Sequence, residues 1–196
     1  MRAVFLDRDG TLIEDVGYLD RVGRLRLFPW SVDAVRLLNR AGLEVIVVTN
    51  QAGVARGVIE EQVVCDLHAH ISGLFEAGGA RLDAWYYCPH LPESTIERYR
   101  VACACRKPGP GMIRRAEQER GIDAARSFVV GDRWLDVELG HGVGATSLMV
   151  RTGYGATEAL RPRPGVAVAA VVSNLMEAVS WILRRVREEP APAGAR

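Results

Sequence analysis

The sequence predicts an α/β fold, a parallel sheet with helices on both faces, in a single domain spanning residues 1–187. Three observations predict it. Short apolar runs recur without polar alternation, as strands buried on both faces do. Segments with apolar residues at helical spacing separate them. Polar residues collect at the carboxyl ends of the runs, where ligands bind in such sheets.

The elements follow in order. Val4-Phe5-Leu6 is a buried strand ending at Asp7. Ser31 is expected to cap a helix carrying Val32, Val35, Leu37 and Leu38, which stops near Gly42. Glu44 to Val48 is a second strand, running into Thr49-Asn50. Glu60 to Ala77 is helical, with Val63, Val64, Leu67, Ile71 and Leu74 on its apolar face. Leu82 to Tyr87 is a third strand, and an irregular insert, Cys88 to Pro110, follows it. Gly111 to Arg120 is helical, Ser127 to Val130 a strand, Trp134 to Gly142 a helix and Thr146 to Val150 a strand. Val166 to Val172 supplies a sixth strand and Leu175 to Arg187 an amphipathic helix. Residues 188–196, rich in Pro, Ala and Gly, read as a flexible tail.

Composition narrows function. The 196 residues are 48% hydrophobic with net charge +1, which gives no electrostatic case for nucleic acid or an anionic membrane as partner. No apolar run is long enough to span a bilayer, and the N-terminal apolar stretch is too short for a secretory signal, so a cytoplasmic protein is expected. Of 25 basic residues, 24 are Arg and one, Lys107, is Lys. A chain that uses Arg elsewhere keeps a compact ammonium where a point charge must fit a tight anionic site.

Four motifs carry chemistry. In Asp7-Arg8-Asp9-Gly10-Thr11, two carboxylates directly after a strand can attack phosphorus and move a proton. Thr49 and Asn50 end the second strand, where a hydroxyl suits a phosphate oxygen. Lys107, in Cys105-Arg106-Lys107-Pro108, can neutralise phosphoryl oxygens. Asp132, in Gly131-Asp132-Arg133-Trp134-Leu135-Asp136, can complete a hard-cation site with Asp7, and Asp136 is a partner to that site or a helix-face acid. The insert adds Cys88-Pro89-His90 and, after twelve intervening residues, Cys103-Ala104-Cys105. Three thiolates and an imidazole suit a closed, structural tetrahedral zinc site.

In this order the four motifs resemble those of the haloacid dehalogenase superfamily of phosphohydrolases. With Asp15-Val16-Gly17-Tyr18, Gln51-Ala52-Gly53-Val54-Ala55-Arg56-Gly57 and the Cys/His set, the chain over Met1 to Gly153 is similar to the D-glycero-D-manno-heptose 1,7-bisphosphate phosphatase family, close to the histidinol-phosphate phosphatases. The resemblance implies a Rossmann-like α/β fold with a minimal cap and a zinc-bound insert (88–110). It implies Asp7 as nucleophile and Asp9 as general acid and then base. Mg²⁺ would sit on Asp7, the Asp9 backbone carbonyl and Asp132. Thr49 and Lys107 would hold the phosphoryl group, and Asp15, Tyr18, Asn50, Arg56 and Arg106 would meet the substrate. The implied activity is Mg-dependent hydrolysis of the C7 phosphate through a phospho-aspartate, giving heptose 1-phosphate, by a monomer of carbohydrate metabolism. Histidinol phosphate as substrate is the alternative, and a non-catalytic zinc module a third. Arg133 departs from the Lys common in relatives but keeps its charge.

The remaining singular residues take plainer readings. His68 and His70, two apart on a helix, are expected to be solvated or partly packed. His141 ends a helix, where a cation suits the dipole. Cys65 is expected to be a buried small hydrophobe. The four tryptophans are expected to pack rather than stack on bases.

Overall fold

The structure, a computed structural model, describes residues 1–188. Six strands form one parallel sheet: β1 (Ala3–Leu6), β2 (Glu44–Asn50), β3 (Ala84–Cys88), β4 (Phe128–Gly131), β5 (Thr146–Val150) and β6 (Ala170–Val172), in the order β3-β2-β1-β4-β5-β6. The helices are α1 (Ser31–Arg40), α2 (Ala52–Ala55), α3 (Glu61–Ala77), α4 (Gly111–Arg120), α5 (Trp134–Val143), α6 (Gly155–Glu158) and α7 (Leu175–Glu188). None of the described helices is long and apolar enough to cross a membrane.

The strands are apolar throughout because each face is covered. Val4, Leu6, Val45 and Val47 join the core cluster that holds Val35 and Leu38 of α1, Leu67 and Ile71 of α3, and Ile182 of α7. Ala3, Phe5, Ile46 and Val48, pointing the other way, pack with Ile113 of α4 and Leu139 of α5. Each fully buried Val, Leu or Ile contributes about 1.5–3 kcal/mol relative to exposure. Sequence order reverses at β1, which lies between β2 and β4. That switch point opens a crevice at the strand ends, and Asp7 and Asp132 both emerge there.

Several expectations change in detail. Ser31 does not cap α1: the helix starts from Trp30, and Ser31 Oγ instead donates to the Leu12 carbonyl at 2.6 Å. Leu37 and Leu74 lie at the edges of their apolar stripes and are 37% exposed. β3 starts late because Asp83 replaces the ladder, its Oδ2 accepting from Val45 N at 2.8 Å. β6 is short because Val166 and Val168 pack against the cluster of Trp134 and Val137 rather than extending the sheet. Cys65 is exposed, not buried, on the outer side of α3. Apart from Glu188, the expected tail at 188–196 lies outside the described residues.

Candidate active site

β1 delivers Asp7, whose backbone N–H donates to Val130 of β4 at 2.9 Å, so the sheet itself fixes its position. Lys107 arrives from the end of the insert and is buried. Its Nζ donates to Asp7 Oδ1 and Asp136 Oδ1, each at 2.6 Å, and to the Val48 carbonyl at 3.0 Å. Burial disfavours the ammonium, but Asp136 and Asp7 outweigh it and hold Lys107 charged, its pKa raised above the ordinary lysine value. Asp136 therefore has a definite task. Its Oδ1 holds Lys107 and its Oδ2 accepts from Arg133 N at 3.2 Å.

Asn50 clamps the other end of this arrangement. Its Nδ2 donates to the Lys107 carbonyl at 3.2 Å, and its Oδ1 accepts from Lys107 N at 3.0 Å. The end of β2 and the exit of the insert are thereby held together. Thr49 is buried beside it, with Oγ1 accepting from Gln51 Nε2 at 2.8 Å. Gln51 Nε2 also reaches Asp9 Oδ2 at 3.2 Å.

Two carboxyls are electrostatically uncomfortable without a cation. Burial, then the charges of Asp136 and Asp9, push Asp7 up to about 7, although Lys107 pulls the other way. Burial, then Asp7 and Asp136, push Asp132 up to about 8. Ligand oxygens of Asp7, Asp132 and Asp136 lie within 4.8 Å of one another. Asp132 Oδ2 accepts from Tyr154 N at 2.7 Å, but buried Oδ1 has no partner among the described residues. Gly10 and Gly153, at φ +81° and +55°, leave room for this carboxylate. A Cβ on either would lie 2.4 or 2.1 Å from Asp132 Oδ2. An orphaned oxygen among mutually repelling acids is a donor set that fits a hard divalent cation. With both Asp136 oxygens committed, Asp7 and Asp132 are the side chains left for it.

All the predicted catalytic and substrate residues line one cleft of about 340 Å³. Its floor is buried, at Asp7, Thr49 and Lys107, while Arg56 and Arg133 stand exposed at its rim. Arg56 NH1 donates to Tyr18 Oη, Asp15 Oδ1 accepts from Gly17 N at 2.8 Å, and Arg106 NH1 donates to the His90 carbonyl at 3.2 Å. The Arg133 guanidinium lies 3.9 Å over the Tyr154 ring. An acidic nucleophile candidate beneath a ring of guanidinium groups suits an anionic, polyoxygenated ligand.

The insert brings Cys88, His90, Cys103 and Cys105 together, their ligand atoms within 4.8 Å of one another. Sγ of Cys105 is 3.1 Å from Cys88 Sγ and 3.0 Å from Cys103 Sγ, and His90 Nδ1 is 3.4 Å from Cys105 Sγ. No disulfide joins them. Four soft donors converging on one point fit tetrahedral zinc. The other half of the insert is tied down separately. Glu61 accepts from Tyr87 Oη at 3.0 Å and Tyr99 Oη at 2.8 Å, and Ser94 Oγ donates to the Ala55 carbonyl at 2.6 Å.

Three contributors escape the sequence reading. Arg8, to which the motif assigns no role, is buried and pairs with Asp9. Gln51 bridges Asp9 and Thr49. His68 is neither solvated nor partly packed but buried, stacked on Trp85 at 4.1 Å. A signal for His68 existed: it sits four residues after Val64 and three before Ile71, inside the apolar stripe of α3.

The pattern of the HAD-hydrolase-like family matches residues 104–178. A D-glycero-beta-D-manno-heptose-1,7-bisphosphate 7-phosphatase of Yersinia pestis is 38% identical over 196 residues, covering 99% of this chain and 96% of the relative. Another, from Rhodopseudomonas palustris, is 45% identical over 142 residues, covering 72% of this chain and 79% of the relative. The crystal structure of a D,D-heptose 1,7-bisphosphate phosphatase from B. bronchiseptica, complexed with magnesium and phosphate, superposes with a TM-score of 0.83 at 28% identity, covering 94% of this chain and 99% of that one. Fold and site thus define a phosphatase of the haloacid dehalogenase-like hydrolases. Within them, the chain belongs to the D-glycero-D-manno-heptose 1,7-bisphosphate phosphatase family.

Proposed function

We propose that this phosphatase depends on magnesium and removes the C7 phosphate of D-glycero-β-D-manno-heptose 1,7-bisphosphate through a phospho-aspartate on Asp7. The observation that carries the reading is the Lys107 ammonium bridging Asp7 and Asp136 on the floor of a guanidinium-rimmed cleft. The relatives' activity and the magnesium and phosphate bound by the structural neighbour support it.

Asp7 attacks phosphorus as Asp9 protonates the departing C7 oxygen. Asp9 then takes a proton from the water that cleaves the acyl phosphate. Thr49 Oγ1 and Lys107 Nζ hold the phosphoryl oxygens, where charge shifts in the transition state. Asp7 and Asp132, with the Asp9 backbone carbonyl, are the groups that would hold Mg²⁺. When bound, it supplies the positive charge that lets an anionic nucleophile approach an anionic phosphate. Arg106 and Arg56 read the second phosphate. In the same reading Cys88, His90, Cys103 and Cys105 hold structural zinc, and residues 1–187 are one domain, supported by the unbroken six-stranded sheet.

The test is kcat/KM with Mg²⁺ on heptose 1,7-bisphosphate, heptose 7-phosphate and histidinol phosphate. Each charged contact to the second phosphate is worth about 1.5–3 kcal/mol, so the bisphosphate should exceed the 7-phosphate by at least ~10-fold. Equal rates on mono- and bisphosphate, or a preference for histidinol phosphate, would overturn the substrate while leaving the phosphatase chemistry in place.

A further inference from the structure

Beneath the cleft lies a buried polar chain that the mechanism leaves unused. Arg8 is 1% exposed. Its Nε and NH2 donate to the Asp9 carboxylate at 2.9–3.2 Å, and NH2 also donates to Gln51 Oε1 at 3.0 Å. The remaining nitrogen, NH1, lies 3.2 Å from His68 Nε2. An arginine has no acceptor, so Nε2 must accept, and the ring proton belongs on Nδ1. The surroundings suit that neutral tautomer. Burial first, and the Arg8 charge second, push the imidazole down to about 3. Trp85 fixes the ring plane by stacking, and Tyr87 meets it edge-on at 5.6 Å.

Successive side chains of an extended segment diverge. A guanidinium that folds back onto the next residue needs support from outside its own strand. Left to itself, an arginine side chain is spread over many rotamers. His68 on one side and Gln51 on the other remove that freedom. With a proton on one oxygen of Asp9, the other still accepts from Arg8, so the same hold serves both protonation states.

We propose that His68 is a positioning residue for catalysis: by accepting from Arg8 NH1, it fixes the guanidinium that presents the Asp9 carboxyl to the leaving-group oxygen. The inference rests on the reading of Asp9 as general acid. It separates two substrates by leaving group. A sugar alkoxide needs the proton, whereas an acidic phenolate departs without it.

The experiment compares His68→Asn with His68→Gln. Both remove the ring and its stack on Trp85. Only Gln is long enough to place an oxygen where Nε2 stands. His68→Asn should lower kcat on heptose 1,7-bisphosphate by ~10- to 100-fold, part of the ~10²–10⁴ that general acid catalysis supplies. Its KM should stay within about twofold, because substrate binding is untouched. On p-nitrophenyl phosphate the single-turnover rate of p-nitrophenolate release should fall less than about threefold, since that step needs little acid catalysis. The later hydrolysis of the phospho-aspartate, where Asp9 acts as base, is common to both substrates and is kept out of the comparison. His68→Gln should recover most of the loss. Arg8→Lys, which keeps the charge but loses the fork, should show the same leaving-group dependence and serves if His68→Asn does not fold. Equal losses on both substrates in the leaving-group step, a loss expressed mainly in KM, or no recovery with Gln would each overturn the proposal. Asp9→Asn is the control. If it slows the leaving-group step equally on both substrates, the general-acid reading fails and takes this inference with it. If Asp9→Asn spares the aryl phosphate and His68→Asn does not, only the inference fails.

Discussion

Two clusters of side chains that could hold a metal ion are linked through the short segment Cys105-Arg106-Lys107, and they are held in opposite ways. The acids Asp7, Asp132 and Asp136 stand on or just beyond β1, β4 and the first turn of α5, so the sheet and its covering helices place them. The Cys/His set stands on an insert that contributes no strand beyond Cys88 and little apolar core of its own. Arg106 and Lys107 follow directly from Cys105, so whatever orders the insert also orders two cations of the cleft. Under the proposed function, the comparison teaches that the scaffold preorganises attack, whereas recognition rests partly on a loop whose distal half is closed by its own ligands.

The sharpest way to probe that division is Asp7→Asn. The amide keeps size and polarity but removes the attacking charge, so kcat should fall by several orders of magnitude. Thermal stability should hold or rise, because burial and then the charges of Asp136 and Asp9 disfavour the Asp7 carboxylate, and Lys107 keeps Asp136 as partner. Activity assays and a melting curve on the same preparation check both. A well-folded variant with substantial turnover would remove Asp7 from the role.

Cys105→Ser should act the other way round. Closing the stretch from Arg100 to Arg106 is expected to fail, bound zinc should drop from about one per chain on the four-ligand rule, and stability should fall. KM should rise about 10-fold or more through Arg106, on the scale of one charged contact. Metal analysis beside steady-state kinetics tests this. A zinc-free, fully stable variant with unchanged KM would erase the contrast between the clusters.

The smallest effect concerns the packing under the acid cluster. His68 faces the Arg8 charge and the Tyr87 ring, and its pKa is depressed from the ordinary 6.5 to about 3. The unfolded chain therefore binds a proton that the folded chain refuses. The corresponding stability is fully present above about pH 6.5 and is lost as pH falls towards 3, at roughly 1.4 kcal/mol per pH unit. Denaturant unfolding between pH 7 and 5 should show a shallower slope in His68→Gln than in the parent chain. Parallel slopes would mean that His68 does not titrate on unfolding.

Much of this was legible in the residues because the governing patterns are local. Apolar runs such as Val4-Phe5-Leu6 and Val45-Ile46-Val47-Val48 announce strands buried on both faces, and the acids that follow them announce the strand ends. The solitary Lys107 drew attention to itself, and its two ion pairs explain why a compact ammonium stands there. What escaped depends on contacts across the chain. Ser31 carries the composition of a cap, but Leu12 claims its hydroxyl. The motif says nothing of Arg8, whose partners Gln51 and His68 lie 43 and 60 residues away. Asp136 is ambiguous on helical spacing alone, because its partner lies 29 residues before it.

The two hydroxyls that converge on Glu61 carry a consequence for how the insert would come apart. Tyr99 is stapled to α3 through Glu61, and Ser94 to α2 through the Ala55 carbonyl, with no metal involved in either contact. The insert is therefore two latches in series rather than one flap. Stripping metal with a chelator should release the stretch from Arg100 to Arg106 while the stretch from Leu91 to Tyr99 stays closed. Amide hydrogen exchange resolves the two, and the boundary in protection is expected at Tyr99. Its partial opening would free Arg106 at the cleft while leaving Arg56, on the still-latched side, where it stands.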